Sequence, residues 1–408
     1  MITYCKTAWG LHLLLRWSGS AFPRTLIFSG ASTAIAAALY ATKRPEVDAD
    51  WRHPYPFQAF AFIVGFTVVF RSQLSYGRYW EGRLQLQSMT ARWADFCTEA
   101  LTMDAGTLSS NPDRDLQALR RSHDFAQTLV HLTSLLHAVA LQHIRGDWEL
   151  ANLKQYIVTD PPPPLDAAVT TEGARIGYVH SLLNLFLLRG GTRQRHKYNR
   201  AMPFAVVASV SPVEVTALGQ MLAGHHRDQT GDAFVGATER VSAVYTWVQQ
   251  LLQDRLNEGG LTRAAPIGSR IWQVLSEGYL HFEHCRAIAD TPFPFPWAQV
   301  VLIMLILYAL TTPLVVVAFI NSTWTGLAVN FLSVQSYWCL NEVARDLEEP
   351  FVYDPNDLPL ARYQGFGAGK TGRRGSPLPC QIAPHSCTRA GAAHPHDAHR
   401  VRAPTHPA

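Results

Sequence analysis

A long absence of charge is the most informative feature of this 408-residue chain: from Thr291 to Asn341, 51 consecutive residues include no Asp, Glu, Lys, Arg or His. No soluble domain needs such a run. Regular cysteine spacing is also absent. Cys5, Cys97, Cys285, Cys339, Cys380 and Cys387 form neither CxxC pairs nor a dense framework, so they read as unpaired thiols rather than a disulfide scaffold. With 35 basic and 31 acidic residues the net charge is +4, which provides no whole-molecule case for a nucleic-acid partner. The chain has no Gly-rich phosphate loop, nucleophile elbow or dinucleotide fingerprint, so an enzyme reading has nothing to build on. At the N-terminus the apolar run Leu11–Leu15 is interrupted by Arg16 and Trp17 before a signal-peptide core is long enough, and no cleaved secretory signal is expected.

The charge-free stretch fits two membrane spans, since about 20 apolar residues cross the hydrocarbon core as a helix. They are Trp297–Ile320 and Leu327 to about Leu340, the second helix continuing to about Val343, with Asn321–Thr325 as the turn and Trp324 suited to the interface. Two weaker apolar segments, Leu26–Ala41 and Phe57–Phe70, flank the polar loop Lys43–Pro56, and the second continues as a helix to about Ser75. Backbone groups in lipid must bond internally, so a paired helical hairpin is expected there and the count becomes four. An even count places both termini on one side. Lys6, Arg16, Arg24 and the Arg-rich tail point to the cytoplasmic side or its organellar equivalent.

Residues 76–290 would then form a large cytosolic region, mainly helical. Its apolar residues recur at helical spacing in Phe125–Val139, Ile176–Leu188 and Val241–Leu256, and Thr159–Pro164 is a helix breaker read as a loop. Beyond Leu360 the composition changes to Gly, Pro, Ala, His and Arg, with seven basic residues against the single acidic Asp397. Ala361–Ala408 is therefore expected to be a disordered tail following a channel domain over 1–360.

The segment Phe70-Arg71-Ser72-Gln73-Leu74-Ser75-Tyr76-Gly77-Arg78-Tyr79-Trp80-Glu81-Gly82-Arg83 resembles the signature that follows the second membrane helix in bestrophins and their non-animal relatives. Three further matches occur in the family's order: Arg16–Ser20 before the first helix, Pro292–Phe295 before the third, and Glu349–Phe351 with Asp354–Leu360 after the fourth. The resemblance implies an all-α integral membrane protein, a ring-shaped homopentamer, and an ion path along the symmetry axis. It places the neck of that path at Phe62, Phe66 and Phe70. Steps of four residues keep the three rings on one helical stripe with about 6 Å of rise between them. Inward-turned phenyl edges are electropositive and favour a partly dehydrated anion such as chloride, bicarbonate or nitrate. Spacing alone also fits ordinary packing of an aromatic stripe.

Ile267 is the candidate for a second, cytosolic constriction, with an ordinary core isoleucine as the competing reading. Arg71, Arg78, Glu81 and Arg83 lie at the cytosolic end of the neck helix, where an Arg78–Glu81 pair at i, i+3 is available. The acidic residues after the fourth helix are only Asp354 and Asp357, too few for a calcium ion's six to eight oxygens, so no high-affinity calcium site and no cofactor are expected. His281, His284 and Cys285 share one helical face without a recognised metal-binding order. The expected partners are further copies of the chain, membrane lipid and permeant anions. A cation-conducting homologue and a non-conducting membrane scaffold stay open beside the anion channel, and plasma and organellar membranes, thylakoid included, are not distinguished.

Overall fold

The computed structural model describes residues 19–42, 53–110, 116–155, 191–223, 232–262, 265–351 and 356–364. Among the described residues nine longer helices follow in chain order: α1 Phe22–Thr42, α2 Tyr55–Ser110, α3 Leu116–Arg145, α4 Gly191–Ala201, α5 Pro212–Ala223, α6 Asp232–Asn257, α7 Ala265–Asp290, α8 Phe295–Phe319 and α9 Thr323–Glu348. Two three-residue strands, β1 Leu153–Gln155 and β2 Phe204–Val206, pair in parallel with Leu153 opposite Phe204. The all-α expectation is thus amended by one small sheet. It anchors the segment after α3 to the start of the α5 region.

At 56 residues, α2 is about 84 Å long, nearly three times a hydrocarbon core. Buried side chains step by three and four within each of two runs, Val64, Val68, Arg71 and Ser75, then Leu86, Met89, Trp93 and Phe96, the spacing of a coiled-coil seam. The first half packs with α8 and α9 around Val64, Val68, Val301, Leu305, Tyr308, Val334 and Trp338. The second half runs between α7 and α3 into a larger core that includes Leu86, Trp93, Phe96, Leu135, Val248 and Leu275. One continuous helix therefore joins the two cores. At the edge of the larger core, Ser211 and Glu214 form a reciprocal capping box at the start of α5.

α1, the first part of α2, and α8 are long and apolar enough to cross a membrane. α9 packs against all three, but Asn330, Gln335 and Asn341 make it more polar than its neighbours. Those amides have work inside the bundle. Gln335 donates to Phe22 O at 3.0 Å and Thr25 Oγ1 at 2.7 Å, and accepts from Ser29 Oγ at 2.6 Å. Asn330 donates to Ser32 Oγ at 3.1 Å. The α1 residues facing α9, Thr25, Ser29, Ser32 and Ala36, are all small and spaced at helical intervals, so two backbones approach closely and hydrogen bonds bridge them.

Pro313 lies inside α8 and has no N–H to give Ala309 four residues earlier. In lipid that carbonyl would be unsatisfied. Ser32 supplies the missing donor, its Oγ lying 2.7 Å from Ala309 O. Tyr40 does the same at the helix end, donating to Ile320 O at 2.8 Å.

One sequence expectation changes at the C-terminal side. The tail does not begin at Ala361, because residues 360–364 form a helical turn that ends on Gln364, only 1% exposed. Gln364 donates to Ala205 O at 2.6 Å and lies 2.6 Å from His137 Nδ1. Burial holds the His137 imidazole neutral, its pKa lowered to about 4. Thr159–Pro164, Ile176–Leu188 and the rest of the tail lie outside the described residues, as do Cys5, Cys380 and Cys387; Cys285 and Cys339 are free thiols.

Replacing Ser32 with Ala should lower bundle stability by about 0.6–2 kcal/mol, read as thermal unfolding in detergent. Adding Pro313→Ala to that variant should restore most of the loss, because the new N–H serves Ala309 O; equal melting of the single and double variants would contradict the assignment.

Candidate functional site

α2 has one face that the described residues leave largely uncovered. Opposite the buried Val64 and Val68, Phe62, Phe66 and Phe70 are 74%, 65% and 41% exposed. The Phe66 and Phe70 rings are nearly parallel with centroids 6.4 Å apart, close to the rise of four helical residues. Phe70 leans on Trp297 of α8 at 5.4 Å and 60°, which fixes the lowest ring from the side. The opposite side of α2 is held close to α9: a Cβ at Gly65 would lie 3.0 Å from the Tyr337 hydroxyl.

The exposed stripe does not stop where the membrane would. It continues through Tyr76, Trp80 and Leu84, all exposed, with Tyr76 and Trp80 stacked at 6.3 Å. The exposed face of α8 differs. Val300, Leu302, Ile303, Ile306, Leu307 and Leu310 make an aliphatic surface of the kind lipid covers.

What sets the rotation of α2 is a pair of arginines two turns apart. Arg71 is buried and points its guanidinium at Glu348, with Nη2 at 2.6 Å, and at Asn341 Oδ1 at 2.7 Å. Its planar group also lies 5.4 Å from the Phe293 ring. Arg78 donates to Glu348 O at 3.1 Å, Ile288 O at 3.0 Å and Thr291 O at 2.7 Å. It thereby caps the carbonyl ends of α7 and α9, where cations are favoured. Burial pushes the Glu348 carboxyl upward, and Arg71 opposes that shift. The same corner is closed by Phe351, whose ring would lie 2.8 Å from a Cβ at Gly82. Glycine is needed there because the ring occupies the space of any side chain.

The other sequence candidates are placed as follows. The Arg78–Glu81 pair is not made: Arg78 is committed to backbone carbonyls, and Glu81 accepts from Gln85 Nε2 at 2.5 Å. Arg83 lies over the Trp80 ring at 5.0 Å. Ile267, 54% exposed, opens α7 at the far end of its run along α2, near the Arg270–Glu99 pair. It is not a core residue of this chain. Asp357 is buried beside Tyr79, raising the phenol pKa to about 12 together with desolvation, the larger cause; Asp354 lies outside the described residues.

His281 is 2.6 Å from Gln85 Oε1. Cys285 is fully buried and its thiol is pushed up to about 12 by desolvation, which keeps it protonated and a poor ligand. Among the described residues no group of three or more His, Cys, Asp or Glu is placed to hold a metal ion. The sequence reading missed Asn341, Glu348 and Trp297 as partners of the α2 motif. A buried arginine demands a counter-charge, but the residue that supplies it is 277 positions away.

A family model described as bacterial/fungal bestrophin protein matches residues 1–168 and 186–365. A voltage-dependent anion channel-forming protein of Nostoc sp. is 36% identical over 76 residues, 19% of this chain and 24% of that protein, so the chain matches about a quarter of that relative's length. Two crystal structures of a bacterial bestrophin homologue from Klebsiella pneumoniae, one of a mutant and one phased on zinc, align with TM-scores of 0.56 at 13% identity. They cover 86% of this chain and 97% and 98% of their own. At that identity the likeness is one of fold.

Removing the Arg71 guanidinium as Arg71→Gln should cost about 3–5 kcal/mol, since Glu348 is left buried and unpaired; Arg71→Gln with Glu348→Gln should recover much of it. The loss should be pH-dependent. With its folded-state pKa raised further in the single variant, Glu348 favours folding below its unfolded pKa and loses that contribution as pH rises through the folded value. Melting measured at pH 7.5 and pH 5 should therefore show the gap to wild type narrowing at pH 5; an unchanged gap would place the damage elsewhere.

Proposed function

The chain belongs to the bacterial and fungal bestrophin family, whose members are ion channels and not enzymes, and from that premise we propose that five copies form an anion-selective pore. In this reading α1, the first part of α2, α8 and α9 cross the membrane, the remainder is cytosolic, and the α2 helices surround the axis. Phe62, Phe66 and Phe70 form three stacked aromatic collars at the neck, and Ile267 forms a lower ring. The chain is an integral membrane protein, and the permeant ion proposed is chloride, with bicarbonate or nitrate as further substrates.

One observation carries this reading: α2 presents a single uncovered stripe, Phe62 to Leu84, that runs without a break through the apolar bundle and out of it. α2 from Tyr55 to Leu84 is about 44 Å long against about 30 Å for a hydrocarbon core, so lipid alone does not cover the whole stripe, whereas copies around an axis cover it along its length. Ring symmetry then turns each phenylalanine into a collar of identical groups. Aromatic edges attract an anion without the long dwell of a fixed charge, and a modest rotation of α2 would exchange edges for other groups. Arg71 and Arg78 oppose that rotation, which makes their corner the place where the neck is held. Calcium control at high affinity is not part of the proposal, given so few acidic oxygens near Asp357.

Purified full-length protein in planar bilayers under a potassium chloride gradient should give a reversal potential near the chloride equilibrium value. Phe66→Ala should widen the neck and raise unit conductance or open probability. Reversal at the potassium value would replace anion with cation selectivity. A monomer or dimer in mild detergent that passes no ions in liposomes would favour a membrane scaffold instead.

A further inference from the structure

Below the neck, α2 carries two charges that have no ionic partner among the described residues. Glu81 is exposed and accepts one hydrogen bond from Gln85. The Arg83 guanidinium rests on the Trp80 ring and makes neither an ion pair nor a hydrogen bond within the described chain. This sets Arg83 apart from the other arginines of α2, where Arg71 and Arg92 are in ion pairs and Arg78 is held by three backbone carbonyls.

Helical geometry puts the two on opposite flanks of the uncovered stripe. At 100° per residue, positions 81 and 83 differ by about 200°, while Phe62, Phe66, Trp80 and Leu84 lie between them. The surroundings agree. Glu81 is on the side of α7, because its partner Gln85 is also bonded to His281. Arg83 is on the side of the closing segment, near Tyr79 and Tyr363.

We infer that in the assembled channel Arg83 of each copy pairs with Glu81 of the next, giving a closed ring of salt bridges immediately below the neck. A rotational ring brings one flank of a helix against the other flank of its neighbour, so a cation on one side and an anion on the other are self-complementary. The two positions differ in height by about 3 Å, and helices packed 8–10 Å apart leave such long side chains within reach of each other. Trp80 holds the guanidinium extended toward the gap by a cation–π contact, which reduces the freedom lost on pairing. The inference rests on the ring reading above and adds the contact that sets its register.

The test is a charge-swap cycle on the full chain in mild detergent, read as native mass. Arg83→Glu and Glu81→Arg each place like charges across every interface and should raise the concentration needed for assembly at least about tenfold, whereas the double swap should restore wild-type assembly. Single variants that assemble normally, or a double swap no better than either single, overturn the pairing. A second variant with both Glu81→Cys and Arg83→Cys provides a positive signal. Cysteines on opposite flanks of one helix cannot join within a chain, so oxidation should give a covalent ladder of up to five copies beyond any crosslinking of wild type. A wild-type-sized assembly with no added crosslink overturns the pairing alone; a wild type that is monomeric or dimeric overturns the ring reading with it.

Discussion

The Arg71 guanidinium, buried against Glu348 and Asn341 at the boundary of the membrane bundle, determines how the longest helix of this protein is oriented. A charge there is tolerable only if its partner is fixed, and the partner lies on the last turn of α9. Arg78 adds a second attachment to the same end of α9 and to the carbonyls that close α7. Because the two arginines are seven residues apart, they face one side of α2. The opposite side, with its phenylalanines, is thereby directed away from the rest of the chain.

The bundle obeys a related constraint, that a backbone carbonyl freed within lipid has to find its donor inside the protein. Pro313 opens a gap in α8 and Ser32 fills it. Gln335 and Asn330 would be costly on a lipid-facing helix, but α9 turns them onto a seam of Thr25, Ser29 and Ser32. The polarity of α9 comes from its position between other helices. The same polarity separates it from α1, α2 and α8 when spans are judged by composition.

Much of the architecture was legible in the sequence. The charge-free run from Thr291 to Asn341 contains α8 and most of α9, and the expected limits of those helices differ from the observed ones by a few residues. The motif from Phe70 to Arg83 led to the family that the comparisons establish. The reading failed where a local rule competed with a distant one. Arg78 and Glu81 have the right spacing for a helical pair, yet exposed pairs of that kind are worth only about 0.3–0.5 kcal/mol, and three carbonyls at helix ends hold Arg78 instead. Ala361–Gln364 looked like the start of a low-complexity tail; Gln364 is buried because α3 and β2 offer it partners, which composition does not reveal.

Hydropathy, charge and the motif order by themselves determined that this is a helical membrane protein of the bestrophin family, because burial in lipid is a property each segment carries in its own composition. Helical spacing likewise placed Phe62, Phe66 and Phe70 on one stripe, since the 3.6-residue repeat is intrinsic to the backbone. Which way that stripe faces was decided only by the tertiary structure. It depends on contacts between residues as far apart as Arg71 and Glu348, 277 positions in sequence, and such a pairing is selected by the packing of four helices at once rather than by any local pattern.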